Sequence, residues 1–346
     1  MAMSSQATSL LEKVIAKTDL TEEESASILN GMALGDLPPA LAGGLLVALR
    51  TKGEATSEIR GFANAMRELA IKPSLPDGEP YVDIVGTGGD GSGSLNLSTG
   101  SALLAAVCGA KVLKHGNRSV SSLSGSADVL KALGLPVPMD EQQIIDCLDE
   151  LGFTFLFAPS YHPAMKAIAP VRQALGVRTI FNILGPLANP ACPPFHVIGA
   201  YSESMAELMA NTLSGLDAKR SFVVHGAPGW DEPTPVGPFL CFDVRPGSVT
   251  KTVRDPADYG LARCTAADLE GGTPEENAKR LRSALCNGDS NAHREALILG
   301  AALALEVTGA VSNPESGVHE ARSALNDGHG KNFIEQMETF GQRQNQ

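Results

Sequence analysis

Residues 83–128, DIVGTGGDGSGSLNLSTGSALLAAVCGAKVLKHGNRSVSSLSGSAD, leave a chain like this few folds to choose from. The apolar run YVDIVG reads as a buried strand that passes straight into a loop dense in glycine, serine and asparagine. LSTGSALLAAVCG follows as an apolar helix ended by Gly109, and AKVLKHG as a second strand that opens a second polar loop. Such alternation predicts parallel strands, whose C-terminal ends, and so the two loops, lie side by side. The pattern continues downstream. SADVLKALG and DEQQIIDCLDELG read as helices, FTFLFAP, FHVIGAY, SFVVHG and PFLCFDV as strands, and ESMAELMANTLSGLD as a helix between two of them. TPEENAKRLRSALCNG and HREALILGAALALEVTG make the C-terminal part helical again. A parallel or mixed sheet with helices on both faces is expected.

The first 70 residues differ. Residues 8–73 carry apolar positions at helical spacing and no strand signal, which predicts a small helical bundle. Thr21 three residues before Glu24 is a capping box. The Pro- and Gly-rich KPSLPDGEP at 72–80 marks the boundary. The expected architecture is α/β: a helical domain over 1–76, joined by the helical segment 164–190, and a larger domain over 77–346 with a mixed, mainly parallel sheet. A length of 346 residues suits one large domain plus a small one. The apolar faces of the bundle are generous for its size, as an interface would require.

Composition excludes some partners. A formal charge of −12 argues against nucleic acid and anionic membrane as general partners, yet leaves room for a local cationic pocket. Six cysteines without CxxC pairing read as reduced thiols, with no zinc site expected. The N-terminal residues hold no long apolar stretch, so a cytoplasmic protein is expected.

Gly86-Thr87-Gly88-Gly89-Asp90 lets a ligand approach backbone N–H groups, and the helix near Ser98 adds unpaired N–H groups and a positive dipole end. Asn96, Ser98 and Thr99 add side-chain donors or magnesium ligands, which makes a diphosphate cradle. A tight strand-to-helix connection explains the glycines taken singly as well. The loop is neither a Walker loop nor a dinucleotide fingerprint, since its ending and spacing differ. In the second loop Lys114 and Arg118 bring charge, Ser121, Ser122, Ser124 and Ser126 bring hydroxyls, and His115 is as readily structural as catalytic. Two adjacent phosphate cradles suit a phosphorylated sugar diphosphate. Asp231-Glu232 reads either as a magnesium site or as a solvated acidic turn. Arg172 has no acidic residue four positions away, and a guanidinium can grip a carboxylate with two parallel hydrogen bonds.

GTGGD, NLST, KHGNR and SGSAD in this order, with YHPAMK, PVRQALGVRTIFNILGPLANP and HG…DE at 225–232, resemble the anthranilate phosphoribosyltransferase family. Weaker similarity covers the N-terminal helices and GGTPEENA, so the resemblance spans nearly the whole chain. It implies a helical domain plus an α/β domain resembling nucleoside phosphorylases, a homodimer through the helical domain, and magnesium, as two ions, as cofactor. The implied reaction transfers the phosphoribosyl group of 5-phosphoribosyl 1-diphosphate to the amino group of anthranilate in tryptophan biosynthesis. By resemblance, Gly86, Gly89, Asp90, Ser94, Asn96, Leu97, Ser98 and Thr99 contact the sugar diphosphate. So do Lys114, His115, Gly116, Asn117, Arg118, Ser119, Val120, Ser121, Ser122 and Ser126. Gly86, Asn117 and Arg172 face anthranilate, with His115, Tyr161, His162 and Pro163 along its route, and Ser98, Asp231 and Glu232 hold metal. No nucleophile or strong base is nominated. Ser94 stands where many relatives have threonine, and Trp230 replaces a smaller aliphatic residue. Two alternatives remain. A nucleoside phosphorylase would carry a lysine where Val85 stands, and a non-catalytic nucleic-acid-binding relative would lose the acidic pair and gain basic surface.

Overall fold

The computed structural model describes residues 2–119, 123–288 and 291–344. Four helices come first: α1 (Ala2–Ile15), α2 (Glu22–Ala33), α3 (Pro39–Lys52) and α4 (Thr56–Glu68). The capping box at α2 forms as expected, with Glu24 N–H donating to Thr21 Oγ1 at 3.2 Å and Thr21 N–H to the Glu24 carboxylate at 2.8 Å. Then strands and helices alternate: β1 (Val82–Gly86), α5 (Leu97–Val107), β2 (Val112–Gly116), α6 (Ser126–Ala132), α7 (Glu141–Leu151) and β3 (Phe153–Phe157). The short α8 (Ala158–Tyr161) and α9 (Met165–Leu175) lead through two 3₁₀ turns to β4 (Phe195–Gly199), α10 (Glu203–Leu213) and β5 (Arg220–His225). β6 (Phe239–Arg245) and β7 (Ser248–Arg254) form a hairpin, and α11 (Pro274–Leu285), α12 (Asn291–Thr308), α13 (Pro314–Asn326) and α14 (His329–Gln344) close the chain.

The seven strands make one sheet in the order β3-β2-β1-β4-β5-β6-β7. The first five are parallel; β6 and β7 are antiparallel. Strand order reverses between β1 and β4, so the crevice beyond their C-terminal ends is the topological switch point where open α/β sheets bind ligands. β7 went unread in the sequence because an edge strand buries no face: SVTKTVR is largely exposed and pairs on one side only.

One sheet face is covered by α5, α6, α7 and the C-terminal helices. The other carries a separate apolar cluster that joins Leu45, Leu49 and Phe62 of the bundle to Ile198, Val223 and Phe242 of the sheet, with Phe181 between. Phe62 and Phe181 meet edge to face at 5.9 Å. Polar ties reinforce this contact: Arg67 Nε donates to the Leu187 carbonyl at 2.6 Å and Arg50 Nη1 to the Arg178 carbonyl at 2.6 Å. Among the described residues no helix is long and apolar enough to cross a membrane, and all six cysteines are free.

Candidate active site

A cavity of about 1120 Å³ opens over the C-terminal ends of β1, β2 and β3 and reaches the turn after β5. A smaller one, about 480 Å³, lies at the opposite end of the sheet, beside Lys111 and Gly152 just ahead of β2 and β3. Gly86, Gly89, Asp90, Ser94, Asn96, Ser98 and Thr99 line the large cavity from the first loop. Lys114, His115, Gly116, Asn117, Arg118, Ser119 and Ser126 line it from the second, and Arg172, Asp231 and Glu232 from the remaining walls. Leu97 does not reach it, because this first residue of α5 turns into the apolar core. Val120, Ser121 and Ser122 lie outside the described residues. His162 faces the cavity, whereas Tyr161 and Pro163 are not among its lining.

The acidic pair reaches the site because β1 and β4 both end in glycine. A Cβ on Gly86 would collide with the Asp231 carboxylate, and one on Gly199 with the Asp231 carbonyl. The segment after β5 is drawn tight by Gly226 and Trp230, which exchange backbone hydrogen bonds at 2.9 and 3.0 Å. Trp230 is buried and joins the apolar core, so the bulkier residue anchors the turn instead of disturbing it. Asp231 Oδ2 then accepts from Gly88 N–H at 2.5 Å, and Glu232 Oε1 from Ser98 N–H at 3.1 Å. Asp90 accepts from the Asp231 N–H at 3.2 Å.

Burial, followed by the neighbouring Asp90, pushes the Asp231 carboxyl up to about 7. Burial and then Asp231 push Glu232 up to about 8, opposed by Lys114 and the Ser98 N–H. Crowded carboxylates with raised proton affinity are what a divalent cation relieves. Among the described residues no group of three or more His, Cys, Asp or Glu side chains is placed to hold an ion unaided. Magnesium keeps waters and binds through one or two carboxylates plus substrate phosphate, and Asp231 and Glu232 supply two carboxylates on the cavity wall. The hydroxyls of Thr87 and Thr99, buried on the cavity wall, have no hydrogen-bond partner among the described residues.

Beneath the loops lies a polar network the sequence reading missed. Asp83 of β1 is fully buried and accepts from Asn189 Nδ2 at 2.9 Å and from His115 N–H at 3.3 Å. Burial raises its carboxyl to about 6 against the pull of Lys114 and Asn189. Lys114 is itself buried, its ammonium donating to the Ile84 carbonyl and lying 3.4 Å from Ser98 Oγ. Burial lowers its pKa, opposed by Asp83 and Glu232. Lys114 thus braces β1 against β2 from the cavity wall and is not a solvated surface cation. A charged residue inside the apolar run YVDIVG was the visible clue to this network.

Asn96 precedes α5 without capping it. Its side chain instead reaches the Ser124 carbonyl at 3.1 Å and takes a bond from Asn277 of α11 at 2.9 Å. Asp128 accepts from the N–H groups of Ser119 and Gly125 at 3.1 and 3.2 Å, fastening both ends of the serine loop. His115 and His162 approach Nε2 to Nε2 at 3.2 Å; burial lowers them to about 3 and about 4, so both are neutral at pH 7. Three arginines around the cavity each lie over an aromatic ring: Arg118 over Phe157 at 5.7 Å, Arg172 over Phe181 at 5.4 Å and Arg178 over Tyr201 at 5.2 Å.

Residues 78–331 match the glycosyl transferase family a/b domain, and residues 8–70 the helical bundle domain of the same family. The anthranilate phosphoribosyltransferase of Methylobacterium nodulans is 42% identical over 94% of this chain and 96% of its own length. The solved anthranilate phosphoribosyltransferase of Thermus thermophilus superposes with a TM-score of 0.88 at 41% identity, covering 96% of this chain and 99% of that one. The Saccharomyces cerevisiae enzyme in complex with 5-phosphoribosyl 1-diphosphate and Mg shares the fold, with a TM-score of 0.86 at 24% identity over 99% of this chain and 100% of that one. With this identity along nearly its whole length, and with its two polar loops and acidic pair on one cavity, the chain belongs to the anthranilate phosphoribosyltransferase family.

Proposed function

We propose that the protein transfers the phosphoribosyl group of 5-phosphoribosyl 1-diphosphate to the amino group of anthranilate, giving N-(5-phosphoribosyl)-anthranilate and diphosphate, as a step of tryptophan biosynthesis. The observation that carries this reading is the convergence of two loops rich in polar groups and an acidic pair on one cavity at the switch point of the sheet. In it the glycine loop and the N-terminus of α5 hold the diphosphate, and the loop from His115 to Ser126 holds the 5-phosphate. Support comes from the present bonding of Gly88 and Ser98: their N–H groups already hold anionic oxygens, those of Asp231 and Glu232. Arg172, backed by Phe181, takes the anthranilate carboxylate, with Gly86 and Asn117 nearby in the same cavity.

Ser98, Asp231 and Glu232 would hold magnesium, as two ions in this reading. When bound, the metal supplies positive charge where the leaving diphosphate gains negative charge. The protein's share is electrostatic and geometric. Loss of diphosphate leaves positive charge on the ribose carbon, and each well-placed N–H donor to the leaving group is worth about 3–4 kcal/mol. The aniline nitrogen is neutral at pH 7 and needs orientation more than deprotonation, so positioning supplies much of the rate. No side chain is assigned as nucleophile or strong base.

The proposal includes a cytoplasmic homodimer through the helical domain (1–76). α1 and α3 pack together and leave Ile15 and Val47 59% and 41% exposed, an apolar face a second copy would cover. Loss of anthranilate fluorescence tests the reaction, with sugar diphosphate and magnesium each omitted in turn. Loss only in the complete mixture is expected. Cleavage of a pyrimidine nucleoside with free phosphate would favour the phosphorylase, and salt-sensitive DNA binding without transfer would favour the nucleic-acid-binding relative.

A further inference from the structure

We propose that Arg178 is the cation that grips the diphosphate end of the sugar substrate, closing over the glycine loop from the facing wall of the cavity. The assignment deepens the transferase reading and rests on it.

Arg178 stands two residues after Gly176, which ends α9 in a left-handed conformation, and its carbonyl is held by Arg50 of α3. Its backbone is therefore fastened to the helical bundle, while its side chain crosses to the sheet. The guanidinium lies directly on Gly89, in the space that any Cβ there would occupy. Gly89 has φ +79°, and its neighbour Gly88 donates its N–H to the Asp231 carboxylate. The guanidinium thus abuts the part of the cavity built of backbone donors and carboxylates.

Its bonding is incomplete. One face rests on the ring of Tyr201, which follows β4, at 5.2 Å. Among the described residues its nitrogen atoms have no hydrogen bond or ion pair, although Asp90 and Asp231 line the same cavity. An arginine stacked on an aromatic ring has its orientation fixed and its five in-plane N–H donors free for a ligand. Those donors form a fork that matches two phosphate oxygens at once.

Location separates the three ring-backed arginines. Arg118 follows β2 and belongs to the serine loop, and Arg172 sits on Phe181 at the face toward the bundle. Arg178 alone of the three is packed on the glycine loop. The reaction brings three anionic groups into one cavity: a monophosphate, a diphosphate and a carboxylate. The diphosphate gains negative charge as the bond to the ribose carbon breaks, so a guanidinium on it favours the transition state over the bound substrate.

The test is calorimetric titration with inorganic diphosphate and magnesium of the wild type, Arg178→Gln and Arg178→Lys, with KM for each substrate measured alongside. Diphosphate affinity should fall about 10- to 100-fold in Arg178→Gln, the range for losing hydrogen bonds to a charged group. KM for the sugar diphosphate should rise in parallel, anthranilate KM should move less than about threefold, and Arg178→Lys should recover part of the loss. Unchanged diphosphate affinity in Arg178→Gln, or no binding by the wild type, would overturn the proposal. A rise confined to anthranilate KM would do the same and give Arg178 to the carboxylate. Should Arg178→Gln fail to fold, the charge-keeping lysine variant reads the same affinity, and a wild-type value there overturns the assignment. A wild type that binds diphosphate through Arg178 yet forms no product would sink the transferase reading and leave the assignment standing.

Discussion

Arg172 and His196 illustrate two fates of a cationic side chain in this fold. Arg172 is half-buried against Phe181, and burial lowers its pKa without a carboxylate nearby to oppose it. In the proposed reading this guanidinium takes the anthranilate carboxylate. Arg172→Ala should raise the anthranilate KM about 10- to 100-fold and that of the sugar diphosphate less than about threefold, by steady-state kinetics with either substrate varied. Equal effects on both would remove the carboxylate assignment. His196, the second residue of β4, is fully buried, with Nδ1 3.2 Å from Ser221 Oγ and Nε2 without a partner among the described residues. Burial, aided by Arg67, holds its pKa down at about 3. Between an unfolded value near 6.5 and about 3 the unfolded chain binds this proton and the folded one does not, so stability drops as pH falls through that window. The slope is about 1.4 kcal/mol per pH unit. Denaturant unfolding at pH 6.5 and pH 5 should therefore show His196→Gln losing about 1.6 kcal/mol less than wild type between them, since the unfolded imidazole is already half protonated at pH 6.5. Identical losses would show that His196 is not buried neutral.

At the scale of elements, the site depends on how closely the turn after β5 lies across the ends of β1 and β4. Gly199 pairs with Gly86 in the β1–β4 register, and Asp231 rests on both. Gly199→Ala should lift that turn and lower kcat/KM at least about 100-fold, while circular dichroism stays native, because a displacement near 1 Å is enough to misplace reacting groups. Wild-type kinetics in that variant would mean the turn has slack. Much of this architecture was legible in advance. β1 to β6 are apolar runs bounded by glycine, proline or polar turns, and adjacency of the two loops followed from parallel pairing alone. Gly199 was not singled out, because FHVIGAY looks like an ordinary strand until its neighbour across the sheet is known. β7, α13 and α14 were unread for a related reason: each presents polar residues to solvent and shows its apolar side only against a partner.

For the whole molecule, the instructive misses join distant parts of the chain. Asp83 meets Asn189, Asn96 meets Asn277, and Arg178 meets both Gly89 and Arg50. No local pattern encodes such contacts; they exist only once the sheet is assembled and the bundle is docked on it. Loop residues such as Asn96, Ser98 and Arg118 were legible as cavity lining because their type and density are costly in a core and suit an anionic ligand. The bundle and the sheet share one apolar cluster, so the bundle side of the cleft is set by packing as well as by sequence. If its outer face also joins two copies, Val47→Glu should convert the dimer to monomers by analytical ultracentrifugation; a wild-type monomer would refute that interface. The central claim is that two neighbouring loops hold opposite ends of one sugar. A crystal structure with 5-phosphoribosyl 1-diphosphate and magnesium tests it most directly. The account predicts diphosphate on Gly86–Asp90 and the start of α5, the 5-phosphate against the loop from His115 to Ser126, and the ribose carbon facing Arg172. Sugar bound elsewhere, or both phosphate ends on a single loop, would contradict it.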